Sequence, residues 1–151
     1  MSRVTLDTTV LVKGIIPPRR RKKDHIYEEQ FRIYTIAKSI ITKVENKESI
    51  MSVPSIAIVE IAAVGARLTG KEERGLQASN YVKKHGNILY DTDILDEAIS
   101  IAAKTKISGF DSIFISCAKI TNSVLITDDK KMYTAAGKVG VKSKLLREMS
   151  A

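Results

Sequence analysis

Residues 3–15 read RVTLDTTVLVKGI. The opening RVTL is a short apolar, β-branched run of the kind that forms a buried strand, and it stops at Asp7. A helical segment follows from Thr8 to Ile15, and Gly14 with the pair Pro17-Pro18 ends it, because no helix continues through consecutive prolines. The order is strand, carboxylate, helix. It is the arrangement a parallel α/β sheet uses at the carboxyl end of a strand.

The same order recurs down the chain. SIMSV at 49–53 predicts a second strand, after which Pro54 and Ser55 open a helix that runs to Leu68 and stops at Gly70. NILY at 87–90 predicts a third strand, SVLIT at 123–127 a fourth and VGVK at 139–142 a fifth. Between them, Ile26, Phe31, Ile33, Tyr34, Ile36, Ala37, Ile40 and Ile41 recur at three- and four-residue steps, predicting a long amphipathic helix from His25 to Lys43. Further helices are expected over Lys71–Lys84, from an N-cap at Asp93 through Lys104, from Asp111 to Ile120, and after Asp128-Asp129. Strand and helix alternate throughout, which predicts an α/β fold in three layers, α/β/α, around a central parallel sheet of about five strands. Residues 1–151 are expected to form one domain, with a basic insertion at about 17–25.

Composition narrows the class. A hydrophobic content of 44% with 28% charged residues is ordinary for a globular protein. Cys117 is the only cysteine, which excludes an intrachain disulfide and a cysteine-based zinc site and fits a reducing compartment. The start, MSRVTLDTTVLV, carries Arg3 and Asp7 and lacks the apolar core of a signal peptide, and no run is long enough to cross a bilayer. A cytoplasmic protein with no membrane partner is expected. Net charge is +8, and Arg19, Arg20, Arg21, Lys22 and Lys23 supply five of those charges in one block. Such a block is either an RNA-binding arm that neutralises phosphates or a solvated loop after the prolines.

Four acids stand in otherwise apolar or helix-starting frames: Asp7, Glu60 in SIAIVEIAAV, Asp111 in GFDSIFISCA and Asp129 in VLITDDKKM. Asp7 is either a plain N-cap or a ligand, and Thr8 and Thr9 offer alternative caps that would leave its carboxylate free. Glu60 has apolar neighbours at helical spacing, Ile56, Ala57, Ala63 and Val64, and is expected to point toward the core. Asp111 opens a helix and serves as cap, ligand or both, while Asp128 and Asp129 compete for one place after the fourth strand, with Thr127 as a supporting hydroxyl. Taken jointly, three of these acids fall at one edge of the sheet and the fourth faces inward from a helix, which predicts one shared cluster. Like charges at close range raise each other's pKa, and a divalent cation relieves them. Oxygen ligands without His or Cys suit Mg²⁺ or Mn²⁺, and His25 and His85 lie in charged surroundings away from the acids.

In these motifs the chain resembles the PIN domain, the metal-dependent ribonuclease fold of VapC-type toxins. LDTTVLVKGI is similar to the family's first strand and acid, VPSIAIVEIAAV to its glutamate helix, GFDSIFISCAK to the helix of its third acid, and LITDDKKM to its T-x-D motif. The resemblance covers roughly residues 3–147 and selects Asp129 over Asp128 as the fourth acid. It implies Asp7, Glu60, Asp111 and Asp129 as catalytic and metal-binding residues, Mg²⁺ or Mn²⁺ as cofactor, RNA as substrate of an endoribonuclease, a homodimer, and a small antitoxin as partner. The stretch Ile56-Ala57-Ile58-Val59 lacks the hydroxyl that toxins often carry before the glutamate, and the basic block resembles an insertion. An RNA-processing or ribosome-associated PIN protein, a non-catalytic RNA-binding module and a phosphoryl-accepting α/β domain are the alternatives.

Overall fold

The structure is a computed structural model that describes residues 1–150. In chain order its elements are β1 (Ser2–Leu6), α1 (Thr8–Ile15), α2 (His25–Glu45), β2 (Ser49–Pro54), α3 (Ser55–Thr69), α4 (Glu72–His85), β3 (Asn87–Leu89), α5 (Asp91–Thr105), α6 (Gly109–Thr121), β4 (Val124–Thr127), α7 (Lys130–Lys138) and β5 (Ser143–Leu145), followed by a 3-10 turn at Leu146–Glu148. The five strands form one sheet in the order β3-β2-β1-β4-β5, and every pairing is parallel.

That order fixes where the helices lie. The chain steps outward from β1 through β2 to β3, then returns across the sheet to β4 and steps the other way to β5. Right-handed crossovers then put α1 to α4 on one face and α5 to α7 on the other. The helix contacts agree: α1 packs on α2 and α3, and α3 on α4, while α6 packs on α5 and α7. The direction of winding reverses between β1 and β4, so the carboxyl ends of these two strands border a crevice.

The central strands are covered on both faces, and their buried residues include Val4, Leu6, Met51, Val53, Leu125 and Ile126. Phe114, Ile115 and Ala118 of α6 fill one side; Val10 and Leu11 of α1, Ile36, Ala37 and Ile41 of α2, and Ala57 and Ile61 of α3 fill the other. The stripe α3 buries is Ala57, Ile61 and Gly65, four residues apart. Glu60 lies beside that stripe rather than in it, with a side chain 40% exposed, which corrects the expectation that it points into the core. The apolar count around it misled because Ile56 and Val59 are themselves exposed. α3 and α4 meet through Gly65 and Gly75, where a methyl built on Gly75 overlaps the Ala62 carbonyl.

Three boundaries differ from expectation. Residues 139–142 are not the fifth strand; the chain turns through Gly140 at φ 76° and pairs with β4 only from Ser143 to Leu145. Asp93 does not begin its helix, which starts at Asp91, but its Oδ2 accepts from the Tyr90 amide at 2.8 Å and satisfies a donor at that end. α6 begins two residues before Asp111, because the Ser108 side chain caps it by accepting from the Asp111 amide at 3.1 Å.

Candidate active site

Asp7 follows β1 directly and caps α1, its Oδ1 accepting from the Val10 amide at 2.9 Å. Its Oδ2 accepts from the Thr127 hydroxyl at the end of the neighbouring strand. The same Thr127 oxygen accepts from the Asp129 amide at 3.0 Å, so one hydroxyl ties the carboxylate of β1 to the turn after β4. Parallel pairing makes this possible: Leu6 is in register with Ile126, and both strands run out together. Asp129 in turn caps α7, its Oδ1 accepting from the amides of Lys131 at 2.8 Å and Met132 at 3.3 Å. Asp111 comes from the opposite side, in the first turn of α6.

Asp7, Asp111, Asp128 and Asp129 line one concavity of about 260 Å³, with Thr8, Thr9, Phe110, Phe114 and Met132 completing the wall. The electrostatics are those of a crowded acidic site. Asp7 is 5% exposed, and burial pushes its carboxyl above the ordinary range, with the Asp128 charge adding to the rise. Burial likewise raises Asp111, and the Asp129 carboxylate raises it further. Asp128 behaves differently. Burial would raise it, but the Lys13 ammonium at 2.8 Å and the Arg147 amide at 3.0 Å outweigh that effect and hold it below the ordinary range.

The donor set fits a hard divalent cation. Its oxygens are carboxylate and hydroxyl, and Thr8 Oγ1 is buried against the concavity with no hydrogen-bond partner. Among the described residues no three acidic, His or Cys side chains close on a single point.

Three of the four acids expected to share a site do so, and Glu60 does not line it. The Glu60 carboxylate instead faces Arg67 Nη2 at 3.7 Å on the same helix, with both side chains well exposed. Asp128 lines the concavity but is bound by Lys13 and Arg147. The basic block leads into α2: Arg20 binds Asp24 through two nitrogens at 2.9 and 2.6 Å, and Lys23 sits 3.9 Å over the Tyr27 ring. The sequence reading missed Arg147, and it took the Thr8 hydroxyl for an alternative cap, whereas Asp7 caps α1 and Thr8 Oγ1 is left without a partner. Arg147 joins the site only through the return of the chain beside β4, and no local pattern signals that.

Residues 4–138 match the PIN domain family. The chain belongs to it. No curated protein sequence matches. Among solved structures, VapBC-1 from nontypeable Haemophilus influenzae is similar at a TM-score of 0.63 and 19% identity, covering 97% of this chain and 99% of that one. VapBC2 from Rickettsia felis, bound to a DNA fragment from its promoter, is similar at 0.58 and 15%, covering 95% and 98%. A toxin-antitoxin complex from Klebsiella pneumoniae is similar at 0.58 and 21%, covering 86% and 89%. These likenesses share the five-stranded PIN fold with this chain, and the acids at the β1/β4 switch point stand where that fold places ligands.

Proposed function

We propose that this PIN domain is a Mg²⁺- or Mn²⁺-dependent endoribonuclease that hydrolyses RNA phosphodiesters, acting as the toxin of a toxin–antitoxin pair. The observation that carries the reading is the convergence of Asp7, Asp111 and Asp129 on one concavity at the switch point, with two of the three carboxyls destabilised as anions. Carboxylates crowded in this way are relieved by a cation. Family membership and the fold shared with toxin–antitoxin complexes support an antitoxin partner, and a homodimer is proposed with it.

Asp7, Asp111 and Asp129 would hold the ion, with Thr8 offering a hydroxyl oxygen. The chemistry a bound divalent ion supplies is a water activated near neutral pH and charge stabilisation at the phosphate. Thr127 orients Asp7 by donating to its Oδ2, and Asp129 keeps its Oδ1 turned toward the α7 amides. Glu60 is proposed as the fourth ligand; its exposed pairing with Arg67 is weak and readily exchanged. Lys13, held by Asp128 at the rim, is placed to meet a phosphate oxygen. Attack by water leaves a 5′-phosphate and a 3′-hydroxyl.

The test is cleavage of single-stranded RNA with Mn²⁺, with Mg²⁺ and with chelator, mapping the product ends. Metal-dependent cleavage that Asp7→Asn removes supports the proposal. RNA binding that persists in chelator, with no cleavage under any condition, makes the chain a non-catalytic RNA-binding module. Cleavage in both metal conditions by Glu60→Gln at the parent rate reduces the ligand set to three.

A further inference from the structure

At the opposite end of the sheet, where the strands begin, lies a larger open concavity of about 880 Å³. Its rim carries Arg3, Lys43, Lys119, Lys142 and Lys144. Among the described residues no carboxylate lines it. Among the described residues, only Lys119 of the five cations is in an ion pair, with Glu97 at 2.7 Å, and Arg3 reaches only the Thr121 carbonyl at 3.5 Å.

Fold geometry explains two of these charges without a ligand. The crossover helices run back against the strands, so their negative carboxyl ends collect at this edge, and Lys43 and Lys119 stand in the last turns of α2 and α6. It does not explain the other three. Arg3 is on β1, Lys142 directly precedes β5 and Lys144 lies within it, and both lysines line the concavity. Between them the lining mixes apolar Val4, Ile40 and Val141 with polar Ser2, Ser49, Asn122 and Ser123, and among the described residues no aromatic ring lines the concavity. Four ammonium groups and one guanidinium, with serine hydroxyls between them, suit a repeating phosphate charge, and without an aromatic ring the lining offers little on which bases stack.

We propose that this concavity is a second nucleic-acid contact that holds the phosphate backbone of single-stranded RNA. The inference rests on RNA as the substrate of the acidic site, and it places a strand so that it is gripped at both ends of the sheet. The two positions are separated by about the length of β1, roughly 13 Å at 3.3 Å per residue. RNA long enough to span both then binds more tightly than a fragment confined to either.

The experiment measures binding of oligouridylates of increasing length by fluorescence anisotropy, in chelator, across a salt series. The parent is compared with K43Q/K142Q/K144Q and with a control of equal charge, K38Q/K71Q/K104Q, drawn from exposed lysines that do not line the concavity. The groove variant is expected to lose about 2 in log–log salt slope, about 0.7 for each phosphate contact removed, and to lose the gain in affinity with length. The control is expected to retain both. An unchanged slope in the groove variant overturns the proposal, as do equal losses in the two variants, which would mark a diffuse charge effect. Displacement of RNA by polyglutamate as readily as by a second oligonucleotide would assign the groove to an acidic protein segment and also overturn it. Because binding is read without metal, the result separates from the nuclease test: a protein that cleaves nothing can still show the slope loss, and an active one can lack it.

Discussion

Thr127 is the hinge of the acidic site at the scale of single residues, since its one hydroxyl donates to Asp7 and accepts from the Asp129 amide. Thr127→Val keeps the shape and removes both bonds. It is expected to lower metal affinity or cleavage by about 10–100-fold, the usual range for a group that orients a metal ligand, and a metal titration of the variant measures it. Asp128 and Asp129 are neighbours with different roles. Asp129→Asn retains an N-cap for α7, so it should abolish cleavage with little change in melting temperature. Asp128→Asn weakens the links to Lys13 and Arg147, and thermal melts should show its effect as lost stability. The reverse pattern would shift the ligand register by one residue.

The raised Asp7 carboxyl gives a pH prediction with a definite sign. Below the ordinary carboxylate value of 3.8 the folded and unfolded chains both hold the proton, and the shift has no effect on stability. As pH rises past that value the unfolded chain ionises first, so the metal-free protein loses stability. Asp7→Asn should therefore raise the melting temperature in chelator at neutral pH and leave it near the parent's in acid. A parent melting temperature that rises through this range in step with the variant's would contradict the account.

Among elements, the closest approach is between α3 and α4. Gly75 sits against the Ala62 carbonyl and the Ala66 amide, so Gly75→Ala must push two helices apart and is expected to cost about 1–3 kcal/mol, read as a lower urea midpoint. The basic segment between α1 and α2 is less free than five consecutive cations suggest. Arg20 is engaged by Asp24, the residue that caps α2 at the Tyr27 amide, and this draws the Asp24 carboxyl down to about 2. Neutralising Arg19, Arg21 and Lys22 is expected to flatten the salt dependence of RNA binding by up to about 0.7 per contact, whereas Arg20→Gln should loosen the start of α2 instead. Hydrogen exchange at the first turn of α2 distinguishes the two effects.

For the whole molecule, most of the exposed large apolar side chains lie on helices, with Ile50 on β2 an exception. Val59 on α3 is 66% exposed and Ile99 on α5 is 58% exposed. A homodimer that covers them accounts for both, and light scattering at micromolar concentration is expected to give twice the chain mass for the parent. Val59→Lys with Ile99→Lys should then give a single chain mass without loss of fold. Among the described residues no helix is long and apolar enough to cross a membrane.

The order of strands and helices, the PIN family, and the acids after β1 and β4 were legible in the sequence, because alternating periods and a carboxylate at a strand end are local patterns. Helix ends were less so: Ser108, not Asp111, caps α6, since neighbouring side chains that can all cap are separated only by backbone geometry. Glu60 marks the larger gap. An apolar neighbourhood in sequence says that a helix has a buried face, but which face is buried depends on the sheet and on α4, and these bury Ala57, Ile61 and Gly65 while leaving Glu60 beside Arg67. Likewise the T-x-D register preferred Asp129 to Asp128, but what holds Asp128, the Lys13 ammonium and the Arg147 amide, reaches it only through the fold, from positions far away in the chain. Tertiary structure also decided the cationic groove. Arg3, Lys43, Lys142 and Lys144 are scattered through the sequence, and only the parallel sheet, by starting all its strands at one end, gathers them there.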